Sequence, residues 1–125
     1  MRYLIKILLW VFCIPCYSQD FIYSKDFNKI NNSNQPFVIE FWAEFNDKNK
    51  WEKLGELKKC GIYRSCIIAN KKLADEFGIK VLPTIILFNN RKEVCRWEGN
   101  LMFELSLSKK DVQTKIDSII LDKFK

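Results

Sequence analysis

The sequence predicts one α/β domain, a three-layer α/β/α sandwich with a mixed central sheet. Segments typical of strands and of helices alternate along the chain in the order β-α-β-α-β-α-β-β-α, and helical crossovers favour parallel pairing of the strands that they connect. Residues 37–45 are apolar at most positions, which is typical of a central strand covered on both faces. A short turn at residues 89–90 joins the last two strand segments, so these two should pair in antiparallel fashion.

The first elements are a strand, a helix and the central strand. Residues 21–23 are predicted to form a short opening strand. Ser24 is predicted to begin a helix that ends near Ile30, because a serine hydroxyl can accept one of the unpaired amide protons at a helix start. Residues 31–36 are polar and rich in turn formers, so they indicate a loop before the strand at residues 37–45.

Residues 46–60 are predicted to form the second helix. Trp51, Leu54 and Leu57 recur at helical spacing, and Gly61 is suited to ending a helix. The pattern therefore favours a helix that directly follows the central strand.

The last part of the chain is predicted to contain three strands and two helices. Residues 62–68, 83–88 and 93–98 are the predicted strands, and residues 70–77 form a short helix that a glycine ends. Ser108 is placed to begin the C-terminal helix, with an acid three residues later as in a capping box. The helix has one apolar stripe, made of Val112, Ile116, Ile119 and Ile120.

Residues 1–18 have the layout of a secretory signal peptide. Arg2 and Lys6 give a positive start, a short apolar stretch follows, and the segment ends in the small residue Ser18. The apolar stretch is shorter than the roughly 20 residues that a membrane-spanning helix needs. We expect cleavage after Ser18, which leaves a domain of residues 19–125 in a secreted or periplasmic location. The alternative is an uncleaved N-terminal anchor.

Composition argues against several kinds of chemistry. The net charge is +6, but the lysines are interspersed with acids, which is typical of solvated surfaces rather than of nucleic-acid interfaces. The chain has no histidine, so neither a His-based triad nor a His-ligated metal is expected, and its scattered cysteines do not form a zinc signature. It has no glycine-rich phosphate loop. We therefore expect no metal, no cofactor, no nucleic acid and, after signal cleavage, no membrane.

Four segments resemble thioredoxins and occur in the order found in that family. They are residues 38–44 (VIEFWAE), residues 73–79 (LADEFGI), residues 81–84 (VLPT) before an apolar strand, and Gly99 after the hairpin. The resemblance covers residues 21–121 and implies the thioredoxin fold.

The chain departs from the family where the reactive dithiol would be. In thioredoxins the central strand runs into Trp-Cys-x-x-Cys-Lys. Here Phe45 replaces the tryptophan, and Asn46 and Asn49 occupy the two cysteine positions. An amide can neither form a disulfide nor attack one. The resemblance therefore implies a degenerate, redox-inactive site in which no catalytic residue is expected.

Pro83 falls on the cis-proline of the family, which faces the active-site turn. In thioredoxins the backbone beside this proline pairs with an extended substrate peptide, and such pairing needs only main-chain groups. The alternative is that Pro83 merely starts a strand. The residues that the resemblance assigns to a binding groove are Phe45, Asn46, Asn49, Leu82, Pro83 and Thr84.

Glu40 falls on the buried acid of the family, and Arg64 falls where a basic residue often stands on the adjacent strand. A lone buried carboxylate is costly, so we expect a Glu40–Arg64 ion pair that is retained for structure. The alternative is that both side chains reach solvent at strand ends.

Residues 100–107, which we call the insert, make the chain longer than a typical thioredoxin between Gly99 and Ser108. The insert (NLMFELSL) is unusually apolar for a loop. It should lie at the same end of the sheet as Asn46 and Asn49, where an exposed apolar segment would suggest a contact surface. The alternative is an extra strand or a packed loop.

Removal of the leader leaves three cysteines, Cys60, Cys66 and Cys95. An odd number in an exported protein means that at least one thiol is free or bridged to another chain. We expect no disulfide within the chain, buried and inert thiols at Cys66 and Cys95, and the most reactive thiol at Cys60. A Cys60–Cys66 bridge is the alternative if the helix at residues 46–60 is shorter than predicted.

The sequence thus favours an exported, non-catalytic binding module whose partner is an extended peptide or a protein at the Pro83 end. The alternative is an atypical thiol-disulfide oxidoreductase that works through Cys60 or the other cysteines outside the motif. A third possibility is a structural subunit of a larger complex that uses the insert.

Overall fold

A computed structural model describes residues 20–22 and 24–124. The predicted signal peptide and its cleavage site lie outside these residues. No helix within the described part of the chain is both long enough and apolar enough to cross a bilayer.

The described strands form one mixed five-stranded sheet, as predicted. Its order is β1-β3-β2-β4-β5. β3 pairs in parallel with β1 and β2, whereas β4 is antiparallel to both β2 and β5. The strands are β1 (Asp20–Phe21), β2 (Phe37–Trp42), β3 (Gly61–Cys66), β4 (Thr84–Asn89) and β5 (Lys92–Glu98).

Helices cover both faces of the sheet and give three layers. Three are α-helices, namely α1 (Ser24–Asn31), α2 (Lys71–Glu76) and α3 (Lys109–Asp122). Two short 3₁₀ helices (Glu44–Asn49 and Glu52–Glu56) lie between β2 and β3. One apolar cluster joins α1 and α2 to the sheet, and a second joins α3 and the second 3₁₀ helix to the opposite face.

β2 is the centre of the domain, and all six of its residues are buried. Phe37, Ile39 and Phe41 belong to the first cluster, whereas Val38 belongs to the second. Glu40 is the one charged residue of this strand, and it is fully buried. Both faces of β2 are therefore covered, which explains the nearly continuous apolar run in the sequence.

The prediction of one helix over residues 46–60 was wrong. The segment forms the two 3₁₀ helices instead, and Gly61 is the first residue of β3 rather than a helix cap. Trp51, Leu54 and Leu57 are all buried in the second cluster. Their uniform spacing of three residues matches the three residues per turn of a 3₁₀ helix.

The remaining elements follow the predicted order with shifted ends. The opening strand is Asp20–Phe21, one residue before its predicted start, and β4 begins after Pro83 rather than at it. The predicted start of the C-terminal helix is confirmed, since the Asp111 amide donates to Ser108 Oγ at 3.2 Å.

Candidate functional site

Asn46 and Asn49, which the resemblance places at the family's cysteine positions, bond to each other, and Asn46 also bonds to the insert. They lie in the first 3₁₀ helix, directly after β2. Asn49 Nδ2 donates to Asn46 Oδ1 at 3.2 Å, and Asn46 Nδ2 donates to the carbonyl oxygen of Phe103 at 3.2 Å. Asn46 is only 6% exposed, whereas Asn49 is exposed. Both ends of the Asn46 amide are therefore engaged within the chain.

The first half of the insert is a tight loop that Asn100 organises. The Asn100 side-chain oxygen accepts the amide protons of Met102 (2.9 Å) and Glu104 (3.1 Å), and the Asn100 amide donates to the Glu104 carbonyl at 2.8 Å. Phe103 has a φ of +59°, a conformation that is uncommon for a residue with a side chain. We call residues 100–104 the insert loop.

The second half of the insert packs onto the domain. Leu105 and Leu107 are half-buried against the cluster on the α3 side. The Leu107 carbonyl accepts a hydrogen bond from Trp51 Nε1 at 3.1 Å. The insert therefore matches both interpretations in part: its second half is a packed segment, and its first half is exposed as a contact surface would be.

Four large apolar side chains project from this end of the molecule. Phe45 is 66% exposed, Leu101 89%, Met102 72% and Phe103 42%. The rings of Phe45 and Phe103 meet edge to face with centroids 5.7 Å apart, which joins the insert loop to the first 3₁₀ helix. We call these four residues the apolar patch.

The groove predicted beside Pro83 is not open in this structure. The Leu82–Pro83 bond is cis, as the resemblance implied. However, Leu82 is only 3% exposed, and Pro83 and Thr84 are also buried. Gly99 lies so close that a Cβ atom there would be 2.5 Å from the Leu82 carbonyl oxygen.

Of the six residues assigned to the groove, only Phe45 and Asn49 are exposed. The main chain of Leu82 is covered, so a peptide cannot pair with it in this conformation. The sequence could not reveal this cover, because it depends on how Gly99 packs against the main chain of Leu82.

Glu40 and Arg64 form the expected ion pair, and together they hold the backbone of a third residue. Arg64 Nε donates to Glu40 Oε1 at 2.8 Å. The Trp51 amide donates to Glu40 Oε2 at 2.6 Å, and Arg64 Nη2 donates to the Trp51 carbonyl at 3.0 Å. Trp51 links the two 3₁₀ helices, so the pair fixes this link to the sheet. Sequence reasoning did not identify the role of Trp51.

Burial raises the pKa of the Glu40 carboxyl above its ordinary value. The hydrogen bond from the Trp51 amide and the nearby Arg64 guanidinium oppose this rise. The alternative in which both side chains reach solvent is excluded for Glu40, which is fully buried. The ionised carboxylate therefore depends on its two partners.

The three cysteines of the described residues are free thiols, and each is half-buried. Cys66 and Cys95, which we expected to be buried, are therefore only partly covered, and Cys60, which we expected to be the most reactive thiol, is half-buried as well. Burial, and secondarily the charge of Asp117, raise the pKa of Cys60 to about 11. A thiol with so high a pKa is a poor nucleophile at neutral pH.

The raised pKa predicts slow alkylation of Cys60. At pH 7 its thiolate fraction should be roughly a hundredfold below that of an ordinary thiol, and it should keep rising about tenfold per pH unit until the pH nears 11. Mass spectrometry after timed iodoacetamide treatment measures this rate, with the urea-unfolded chain as the control. A plateau between pH 8 and 9 in the folded chain would contradict the assignment.

An open cleft of about 300 Å³ lies between the first half of the 46–60 segment and the insert. Its charged residues are of both signs, and Lys50 on its wall is paired with Asp47 at 3.2 Å. The described residues contain no group of three side chains suited to holding a metal ion. The charged residues that line the cleft are Lys48, Lys50, Glu52, Lys53 and Glu104.

Comparisons with known proteins agree with the fold. A sequence model of the thioredoxin family matches residues 20–110. A thioredoxin of Rickettsia typhi is 32% identical over 73 residues, which cover 53% of this chain and 70% of that protein. A thioredoxin of Malassezia sympodialis is 26% identical over 76 residues, which cover 54% of this chain and 72% of that protein.

Solved structures show the same fold. A mutant thioredoxin from Halobacterium salinarum superposes with a TM-score of 0.64 at 18% identity, over 80% of this chain and 88% of that one. The structure of the Malassezia sympodialis thioredoxin gives a TM-score of 0.60 at 21% identity, over 84% of this chain and 93% of that one. These likenesses confirm the predicted fold class.

Proposed function

Because this chain belongs to the thioredoxin family, we propose that it is an exported, non-catalytic member that binds a partner protein through the apolar patch. The observation that carries the proposal is the exposure of Phe45, Leu101, Met102 and Phe103 at the end where the dithiol would stand. Contiguous exposed apolar surface marks contact sites, and aromatic residues and methionine are enriched in interfaces.

The burial of Leu82 favours a partner with an apolar surface over an extended peptide. An extended peptide needs accessible main-chain groups, and Leu82 offers almost none because it is 3% exposed. The side chains of the apolar patch, by contrast, need only a complementary apolar surface.

Charge favours an acidic partner over a second copy of this chain. The net charge is +6, and it stays positive after Arg2 and Lys6 leave with the signal peptide. Two copies therefore repel each other, whereas a protein of negative net charge is attracted. We therefore propose a partner protein of net negative charge with an apolar contact surface. Self-association is a competing outcome of the test.

The other function proposed from the sequence, an oxidoreductase that uses Cys60, gains no support from the geometry. The thiol is half-buried and its pKa is raised to about 11, whereas a reactive cysteine has a lowered pKa. An assay of disulfide reduction tests this alternative directly. Turnover that disappears in a Cys60→Ser variant would overturn the binding proposal.

Site-specific photo-crosslinking tests the proposed surface. A photoreactive phenylalanine analogue at position 45 should form an adduct with an acidic partner in the producing cell, whereas the same group at Val94, which is exposed on β5, should not. Adducts formed only with a second copy of the chain would overturn the choice of partner.

The affinity of the identified partner then gives the quantitative test. A Leu101→Ser/Phe103→Ser variant should bind at least about tenfold more weakly, since burial of one large apolar side chain contributes about 1.5–3 kcal/mol. The matched control is Val94→Ser, which should change the dissociation constant less than about twofold. Equal affinities of both variants, measured by titration calorimetry, would contradict the proposal.

Export is part of the proposal and rests on the layout of residues 1–18. Mass spectrometry of the protein outside the cytoplasm should find an N-terminus at Gln19. An intact N-terminus on a membrane-bound product would favour the anchor instead.

A further inference from the structure

The asparagines in place of the dithiol form a bonded unit with the insert loop. We propose that Asn46 and Asn49 are positioning residues whose amide pair fixes the insert loop over the first 3₁₀ helix and thereby sets the shape of the apolar patch. The effect on the partner's affinity rests on the proposed function, whereas the effect on the loop does not.

The chemistry of the contact requires an amide at position 46. A backbone carbonyl can only accept a hydrogen bond, so the group that faces Phe103 must donate. The group that faces Asn49 Nδ2 must accept. The Asn46 side chain meets both demands at 3.2 Å each, while an aspartate of the same size could meet only the second.

The spacing of the pair also matters. Although Asn46 departs from helical geometry, the two side chains three positions apart meet, and the bond from Asn49 Nδ2 to Asn46 Oδ1 orients the Asn46 amide. This contact explains why an exposed residue, Asn49, would affect a loop that it does not touch directly.

The insert loop depends on this contact because its other bonds are internal. Asn100 bonds the amides of Met102 and Glu104, and the Phe103 amide donates to the Asn100 carbonyl at 3.0 Å. These bonds shape the loop but do not attach it to the first 3₁₀ helix. Two contacts attach it, namely the Asn46 hydrogen bond and the ring contact between Phe45 and Phe103.

Hydrogen exchange on the isolated chain tests, without any partner, whether the insert loop is held to the first 3₁₀ helix. Asn46→Asp should speed exchange of the Phe103 and Glu104 amides about tenfold, because it removes a donor and places a charge against a carbonyl oxygen. Asn49→Ala should speed it about threefold. Lys48→Ala, an exposed neighbour in the same helix, should leave it unchanged.

A general loss of stability gives a different result and would overturn the inference. In that case the amides of β2 and β4 would exchange faster by the same factor as those of the loop. Unchanged exchange at Phe103 in both asparagine variants would overturn it as well. Asn49→Ala keeps the test valid if Asn46→Asp does not fold, because Asn49 is exposed.

Partner affinity separates this inference from the proposed function. If the loop opens in Asn46→Asp and binding weakens at least about fivefold, both stand. If the loop opens but the wild-type chain has no partner, the proposed function fails and the loop's attachment stands. If the loop opens and a proven partner binds equally well, the claim that the amide pair shapes the apolar patch is wrong.

Discussion

Replacing Arg64 with leucine should destabilise the folded domain by about 3–5 kcal/mol at pH 7, as expected when a buried ion pair loses one partner. The change leaves Glu40 fully buried without its cationic partner, so the carboxyl must take up a proton in the folded state. Burial already raises the pKa of Glu40 in the wild-type chain, and each unit of further rise costs about 1.4 kcal/mol at a pH above the new pKa. Loss of the bond to the Trp51 carbonyl adds to this cost.

The destabilisation should depend on pH in a defined direction. The folded-state pKa of Glu40 would lie above its unfolded value, so this group's contribution to stability is fully present below about pH 4 and is lost as the pH rises through the folded pKa. The destabilisation caused by protonation of Glu40 should therefore be smaller at pH 5 than at pH 7. Urea unfolding at pH 5 and pH 7 measures the difference.

Lys92→Leu is the matched control, because Lys92 is exposed on β5 and an exposed charge contributes little. Equal unfolding midpoints for the two variants would show that the ion pair does not stabilise the domain. A Glu40→Gln/Arg64→Leu variant should recover at least half of the loss at pH 7, since a glutamine is neutral without taking up a proton. No recovery would mean that the lost bond to Trp51, rather than protonation of the unpaired carboxyl, dominates.

Restoring cysteine at positions 46 and 49 should create a disulfide that the natural chain lacks. The two side chains already meet, since Asn49 Nδ2 lies 3.2 Å from Asn46 Oδ1. Mild oxidation should therefore remove two titratable thiols from the double variant and none from the wild-type chain.

The single variant Asn46→Cys is the control, because it has the new thiol without a neighbour. A double variant that keeps both thiols reduced would show that the two positions are not those of the family's cysteines.

The order of the elements along the chain and the central position of β2 could be predicted because they depend on local patterns. The apolar run of β2 and the cap at Ser108 are such patterns, and both lead to the observed elements. The type of helix after β2 was predicted wrongly because the shared period of Trp51, Leu54 and Leu57 was taken for that of an α-helix. Their spacing of three without a step of four is the signal that favours a 3₁₀ helix.

The candidate site could be predicted only where it depends on the sheet. Glu40 and Arg64 are neighbours in register between β2 and β3, so their pairing follows from the strand assignment. The contact between Asn46 and Phe103 joins residues 57 positions apart, and no local pattern reports it. The cover over Leu82 has the same origin, because it depends on the approach of Gly99 to a residue 17 positions earlier.

The replacement of one long helix by two short 3₁₀ helices also changes the electric field at position 46. The peptide dipoles of a long α-helix sum to about half a positive charge at its N-terminus, and this charge lowers the pKa of a cysteine placed there. The first 3₁₀ helix has only six residues, and Asn46 within it departs from helical geometry at φ −112° and ψ 20°. A neutral amide needs no such field, whereas a cysteine placed at position 46 would gain little thiolate activation from so short a helix. A reductase designed on this scaffold would therefore need a longer helix as well as two cysteines.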